Sequence, residues 1–173
     1  MGLYLLANGP MPTTAAQAVV TTGTAIKTML QVKMGASSNI TGRVVEWGIS
    51  FDGFAAALPI KCELLTTGTV AATITEFLAA DIINLGDPNA AAVTDDFPFA
   101  FTAAGDESGY TATAEGTITA TRMFDVQLVA PTNQYVKQWP LGREPTFKAS
   151  EFLRIRVTAG TAANCYCFVI IDI

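Results

Sequence analysis

The sequence predicts an all-β protein, an antiparallel β-sandwich of the jelly-roll kind with an extended N-terminal arm and long loops. Apolar and polar residues alternate with a period of two in most of the patterned segments, as expected for half-buried strands. Turn-forming Gly, Pro, Asn and Asp lie between these segments. The segments are 25–33, 43–51, 59–65, 117–129, 151–158 and 165–171.

The alternation assigns the residues of each predicted strand to two faces. In the fifth segment Leu153, Ile155 and Val157 share one face, and Arg154 and Arg156 share the other. The last segment, CYCFVII, is a continuous aromatic and β-branched run. Weaker strand signals near 68–75, 109–114 and 134–139 complete the two sheets that a sandwich requires.

One stretch, residues 75–85, has apolar residues at helical spacing. Thr75 is a possible N-cap, and Gly86 and Pro88 would end a helix there. A short helix and a strand followed by a loop are equally compatible with this pattern.

The first 23 residues are predicted to form an arm, and residues 24–173 a single sandwich domain. The arm is rich in Ala and Thr, is interrupted by prolines, and has too little apolar content for a core of its own. We expect it to be mobile in a monomer and ordered along a neighbour in an assembly. Its predicted contact residues are Tyr4, Leu6, Pro10 and Pro12.

Charge and composition exclude several classes of function. The chain has no His, which removes imidazole bases and His-based zinc sites. Its net charge of −5 disfavours nucleic-acid binding, which depends on cationic contacts to phosphate. Only 14% of residues are charged, so we infer that much of the surface faces other protein subunits.

The acidic residues are segregated. Nine of the fifteen lie between Cys62 and Thr121, a stretch that has no Lys or Arg, so one face or loop is expected to be strongly acidic. The pairs Asp95-Asp96 and Asp106-Glu107 offer oxygen ligands for Ca²⁺, but solvated loop charges are the more ordinary interpretation. No nucleophile–base pair, phosphate loop or paired-carboxylate motif stands out, so no enzyme activity, metal or cofactor is predicted.

The cysteines and the termini predict a reduced protein made in the cytoplasm. Cys62, Cys165 and Cys167 are expected to be reduced, half-buried small hydrophobic residues, with a disulfide from Cys62 to one of the other two as the alternative. The N-terminal residues do not match a signal peptide, and no apolar run is long enough to span a membrane.

Residues 131–147 are the second predicted contact region. Tyr135, Lys137, Trp139 and Arg143 belong to the residue types found at interface hot spots or lie beside them. The alternative is that Trp139 anchors this loop onto the core of its own subunit.

Residues 44–65, 109–145 and 152–173 resemble a family of small virion proteins of tailed bacteriophages. The resemblance implies a head decoration (cement) protein or another head or tail accessory protein. Such decoration proteins are β-sandwich or jelly-roll modules that assemble as trimers on the major capsid protein. The resemblance also implies a location on the head surface of the virion.

Two functions follow as hypotheses. In the first, the chain stabilises the phage head by oligomeric adhesion. In the second, it is a receptor-binding or carbohydrate-binding module on the head or tail that uses the acidic loops and exposed aromatic residues.

Overall fold

The computed structural model describes residues 2–12, 15–35, 40–95, 97–101 and 107–173. They form two antiparallel sheets packed face to face, which confirms the predicted β-sandwich. The strands are β1 Leu3–Ala7, β2 Val20–Thr21, β3 Ile26–Lys33, β4 Thr41–Asp52, β5 Ile60–Thr67, β6 Thr73–Glu76, β7 Ile83–Asn84, β8 Gly109–Ala114, β9 Arg122–Val129, β10 Gln134–Gln138, β11 Thr146–Lys148, β12 Phe152–Thr158 and β13 Asn164–Asp172.

The two sheets enclose one hydrophobic core. The seven-stranded sheet has the order β10-β4-β13-β1-β7, with β11 beside β4 and β2 beside β13; the six-stranded sheet has the order β6-β8-β3-β12-β5-β9. Strand β12 sends the predicted side chains Leu153, Ile155 and Val157 into the core, where Trp47 and Ile49 of the opposite sheet are also buried. Burial of such apolar side chains is the main stabilising contribution of the fold.

The outward face of β12 is buried as well. Two loops, residues 68–72 and 115–121, lie over the six-stranded sheet, and we call them the covering loops. Arg154 is completely buried beneath them. Arg154 donates hydrogen bonds to the carbonyl oxygens of Val70 at 2.6 Å, Glu115 at 3.0 Å and Thr117 at 3.2 Å. Burial lowers the pKa of Arg154 to about 10, although the nearby Glu115 carboxylate acts in the opposite direction.

The second arginine of β12 is held in a similar way. Arg156 donates from Nε to a Glu63 carboxylate oxygen at 3.1 Å and from Nη1 to the carbonyl of Ile118 at 2.7 Å. The Glu115 carboxylate accepts hydrogen bonds from the backbone and hydroxyl groups of Thr28 on β3. The Glu115 carboxylate also lies 3.7 Å from Nη1 of Arg154. Glu63 and Glu115, two acids of the acidic segment, are therefore internal ion-pair partners rather than part of an acidic face.

The prediction of a free N-terminal arm is wrong. Residues 3–7 form β1, which lies inside the seven-stranded sheet between β13 and β7. A composition averaged over 23 residues conceals the short apolar run LYLLA, which has the length and residue types of a strand. Further along, Thr22 is buried, and β2 pairs with β13.

Residues 75–85 adopt the strand-and-loop alternative. The structure has β6, a single 3₁₀ turn at Ala79–Asp81 and then β7. The Asp81 carboxylate accepts hydrogen bonds from the backbone of Leu78 at 2.9 Å and of Met11 at 2.8 Å, which fixes this turn against the N-terminal segment. The weaker strands predicted near 109–114 and 134–139 are confirmed as β8 and β10, whereas β6 begins at Thr73, later than predicted.

Candidate interaction surface

The outward face of β13 is apolar. Its residues alternate between fully buried side chains, which face the core, and the half-buried Tyr166, Phe168 and Ile170, which face outward. In an antiparallel sandwich the outward positions are usually polar because they contact water. Three consecutive outward apolar positions on a central strand are therefore a feature that the fold itself does not require.

Neighbouring strands extend this surface. The register places Leu5 of β1 opposite Ile170 and opposite Ile83 of β7, and it places Val136 of β10 opposite Gly48. We call this set the apolar outer face. Its members are Leu3, Leu5, Ile83, Val136, Tyr166, Phe168 and Ile170.

Few charges interrupt the apolar outer face. At one end of β13 Asp172 forms an ion pair with Arg43 of β4, so neither charge is left unpaired. Glu46 lies opposite Ile170 on β4 and is half-buried, and Ser50 lies opposite Tyr166. Depletion of charge in an apolar patch is the composition found at the core of protein–protein interfaces.

A groove lies at one side of the apolar outer face. It is a cavity of about 500 Å³ whose lining is Leu5, Ala7, Gly9, Pro10, Met11, Pro12, Gln17, Val19, Asp81, Ile83 and Tyr166. After β1 comes Asn8, which is buried. Its side-chain amide forms hydrogen bonds with the backbone of β13, as the backbone of a paired strand would. Its side-chain oxygen accepts from the Cys167 backbone at 2.9 Å, and its amide donates to the Cys165 carbonyl at 3.2 Å. These bonds direct residues 9–12 over the sheet, and those residues form one wall of the groove.

The predicted contact residues of the N-terminal segment divide into two groups. Pro10 and Pro12 line the groove and remain available for contact. Leu6 is completely buried in the core, and Tyr4 packs edge-on against Phe99 with 5.5 Å between ring centroids. The prediction is wrong for Leu6, because its side chain points between the sheets.

Two predicted contact residues of β10, Tyr135 and Lys137, bind a carboxylate inside their own subunit. The Tyr135 hydroxyl donates to Asp125 at 2.9 Å, and the Lys137 ammonium lies 3.4 Å from the same carboxylate. Trp47 and Gln127 donate to it at 3.2 and 3.0 Å. Because Asp125 belongs to the six-stranded sheet and β10 to the other, this cluster links the two sheets through their side chains.

The ionisation of the cluster follows from its contacts. Burial alone would raise the pKa of Asp125, but the donors around it, with Gln127 first and then Tyr135, hold the pKa below its usual value. The pKa of Tyr135 is raised to about 12, by burial and then by its hydrogen bond to Asp125. Tyr135 therefore stays a neutral donor at neutral pH.

Trp139 and Arg143 have different environments. Trp139 is half-buried against the core, with the Lys137 ammonium 5.1 Å from its ring centroid. This agrees with the alternative in which Trp139 anchors its loop onto its own subunit. Arg143 is exposed, next to the exposed Leu141 at the tip of the same loop.

The residues considered for metal binding and redox chemistry do not form a site in the described part of the chain. There, no group of three or more Cys, Asp or Glu side chains is arranged to hold a metal ion. Asp96 and Asp106, two members of the predicted Ca²⁺ pairs, lie outside the described residues. Cys62, Cys165 and Cys167 are free thiols, fully buried rather than half-buried, and no disulfide joins them.

Sequence reasoning missed the apolar outer face, although the signal was present. The run CYCFVII is apolar at both parities, and a strand that is apolar on both faces is typically covered on both. Comparisons with known proteins add no further assignment, since no family model, no curated protein and no solved structure matches this chain. Among the described residues, no helix has the length and hydropathy needed to cross a membrane.

Proposed function

We propose that this chain is a structural protein of a tailed-phage virion, a head decoration protein that binds the major capsid protein and stabilises the shell. It acts by adhesion as a homo-oligomer, without catalysis or a cofactor, on the head surface of virions assembled in the host cytoplasm. The observation that carries the proposal is the apolar outer face, centred on Phe168 of β13.

The apolar outer face is suited to adhesion because of its composition and because a rigid sheet holds its residues in place. It combines aromatic and aliphatic side chains with few charges, and strands of a rigid sheet hold it in place. The adjoining groove, with Pro10 and Pro12 in its wall, offers a concave partner site beside the sheet. Such a surface contributes modest affinity per copy, and linkage of copies in an oligomer raises the overall affinity by multivalency.

The resemblance of residues 44–65, 109–145 and 152–173 to small phage virion proteins supports the choice of partner. A glycan-binding module would instead require an exposed platform of aromatic residues beside carboxylates or a metal ion. Tyr135 and Trp139, two aromatic residues of the predicted contact region 131–147, are engaged within their own subunit.

The test begins with virions of the phage that encodes the chain. Mass spectrometry of gradient-purified particles and a low-resolution image of bound, labelled chain would show whether it occupies the head. The decoration role would be refuted if the chain were absent from virions or bound only host polysaccharide. If the chain were found on tails alone, the result would support the alternative, a receptor-binding or carbohydrate-binding module.

Variants then address the surface itself. Phe168→Lys and Ile170→Lys place a charge on the apolar outer face, and we expect each to reduce head occupancy at least tenfold. Ser150→Lys is the matched control, since Ser150 is exposed outside that face. Circular dichroism would verify that each variant is folded, and equal occupancy by folded Phe168→Lys and Ser150→Lys would count against this surface.

A further inference from the structure

A second surface lies along β9, the edge strand of the six-stranded sheet. Strand β9 has eight residues and pairs with β5 on one side only. In the described part of the chain, no backbone hydrogen bond joins the free side of β9 to a loop or another strand. A free strand edge presents a row of unpaired N–H and C=O groups, so the occupant that fits it is another strand.

The outward side chains of β9 are apolar. The register places Met123, Val126 and Leu128 on the outer face of the six-stranded sheet, with exposed fractions of 48%, 49% and 73%. The two charged residues of β9 do not guard the edge. Arg122 donates to the Thr146 carbonyl at 2.7 Å, and Asp125 is buried in the cluster described above.

The other sheet edges are shorter. Strand β7 has two residues, β6 has four and β10 has five. Short edges are one of the usual protections against edge-to-edge pairing. Charge at the edge is another such protection, but within residues 125–129 of β9 the one charged side chain, Asp125, is buried.

The symmetry of β9 selects its partner. The β5–β9 ladder slips between Leu64 and Leu65, which leaves Asp125–Val129 as the regular part of the strand, centred on Gln127. Two copies placed antiparallel about a two-fold axis at Gln127 bring Val126 of one copy opposite Leu128 of the other, twice. Apolar residues then face apolar residues, and no like charges are opposed.

We infer that β9 pairs with β9 of a second copy of this chain and joins two six-stranded sheets into one continuous sheet. The contact is isologous, so it closes as a dimer. This inference does not rest on the proposed function. A two-fold contact gives a dimer, whereas the resemblance implies a trimer, so the molecular mass of the assembly in solution distinguishes the inference from the resemblance.

The expected affinity is moderate. A standard interface takes about 800 Å² from each partner, which is more than a five-residue ladder supplies alone. The exposed Ile118 lies over Arg156 on the same outer face and enlarges the apolar area. We therefore expect a dissociation constant of the order of micromolar.

Sedimentation equilibrium from about 1 to 300 μM brackets that affinity. We expect the wild type to change from monomer to dimer in this range, and Val126→Lys and Leu128→Lys to weaken association at least tenfold. Leu78→Lys is the matched control, because Leu78 is exposed and follows β6, the strand at the opposite edge of the six-stranded sheet. A wild type that is monomeric throughout, or a folded Leu128→Lys that associates like the wild type, would overturn the inference.

Hydrogen exchange on the wild type tests the same contact without a substitution. Backbone amides of residues 125–129 that point to the free edge should exchange more slowly at about 300 μM, where the dimer is expected to dominate, than at about 1 μM, where the monomer is. Equal exchange rates at both concentrations would show that the β9 edge stays unpaired and would overturn the inference.

Discussion

Gly48 and Phe168 lie opposite each other in the β4–β13 ladder, and the ring of Phe168 occupies the space that a side chain at position 48 would need. A Cβ atom at Gly48 would lie 2.5 Å from Cε1 of Phe168 and 3.2 Å from Cγ2 of Val136. The absence of a side chain thus lets Phe168 extend across β4 towards Val136. This contact makes the apolar outer face continuous from β13 to β10.

We expect Gly48→Ala to displace the Phe168 ring and lower the free energy of unfolding by about 1–3 kcal/mol, the usual cost of overpacking. Gly68→Ala is the matched control, since no atom lies within 4 Å of its added Cβ. Its expected change is within about 0.5 kcal/mol. Urea unfolding measures both, and equal stabilities of the two variants would show that the ring moves aside at no cost.

The sequence predicts the sandwich because alternation depends only on local geometry. The period of two places Leu153, Ile155 and Val157 in the core without knowledge of their partners. It does not reveal what covers the other face. Arg154 and Arg156 have the pattern of a solvated face, yet loops distant in sequence bury them.

The candidate site was less predictable for the same reason. Tyr135 and Lys137 have the composition of a contact region, but Asp125 on the other sheet takes up their polar groups. Only the packing of the two sheets brings these residues together. Composition averaged over 23 residues predicts an arm at Leu6, whereas a strand of five residues suffices to place its side chain in the core.

The buried arginine of β12 gives a second stability prediction. Arg154→Ala leaves the carbonyls of Val70, Glu115 and Thr117 without their donor, so we expect the free energy of unfolding to fall by about 3–5 kcal/mol. The exposed Arg143→Ala is the control, with an expected change within about 0.5 kcal/mol. If chemical denaturation shows similar losses for both variants, Arg154 does not hold the covering loops.

The Asp125 cluster predicts a pH dependence. The folded state lowers the pKa of Asp125 below its ordinary value of 3.8. The carboxylate therefore stabilises the fold fully at pH values above 3.8, and this stabilisation is lost as the pH falls through the lowered pKa. We expect Asp125→Ala to cost about 2–4 kcal/mol at pH 7. The difference from the wild type should shrink as the pH falls below 3.8.

Urea unfolding at several pH values between 7 and about 2.5 follows this change, since the linkage acts only near the two pKa values. Asp52→Ala is the control for loss of a carboxylate, because Asp52 is exposed at the end of β4. A cost of Asp125→Ala that stays constant down to the lowest pH would mean that the charged form of Asp125 is not the form the cluster stabilises.

The three thiols predict slow chemical modification. Cys62, Cys165 and Cys167 are fully buried, and burial, with the neighbouring Cys165 and Glu63, raises the pKa of Cys62 to about 12. Burial also raises the pKa of Cys167. Because the thiolate is the reactive form, we expect iodoacetamide at pH 8 to label the native chain only as fast as it opens.

Ser150→Cys supplies the matched control, an exposed thiol on the same fold that should react at the rate of a free cysteine. In denaturant the wild type should take up three adducts, since it has three cysteines and no disulfide. Mass spectrometry without reductant counts the adducts directly. Rapid labelling of the native wild type would place at least one thiol at the surface, and one adduct instead of three in denaturant would reveal a disulfide.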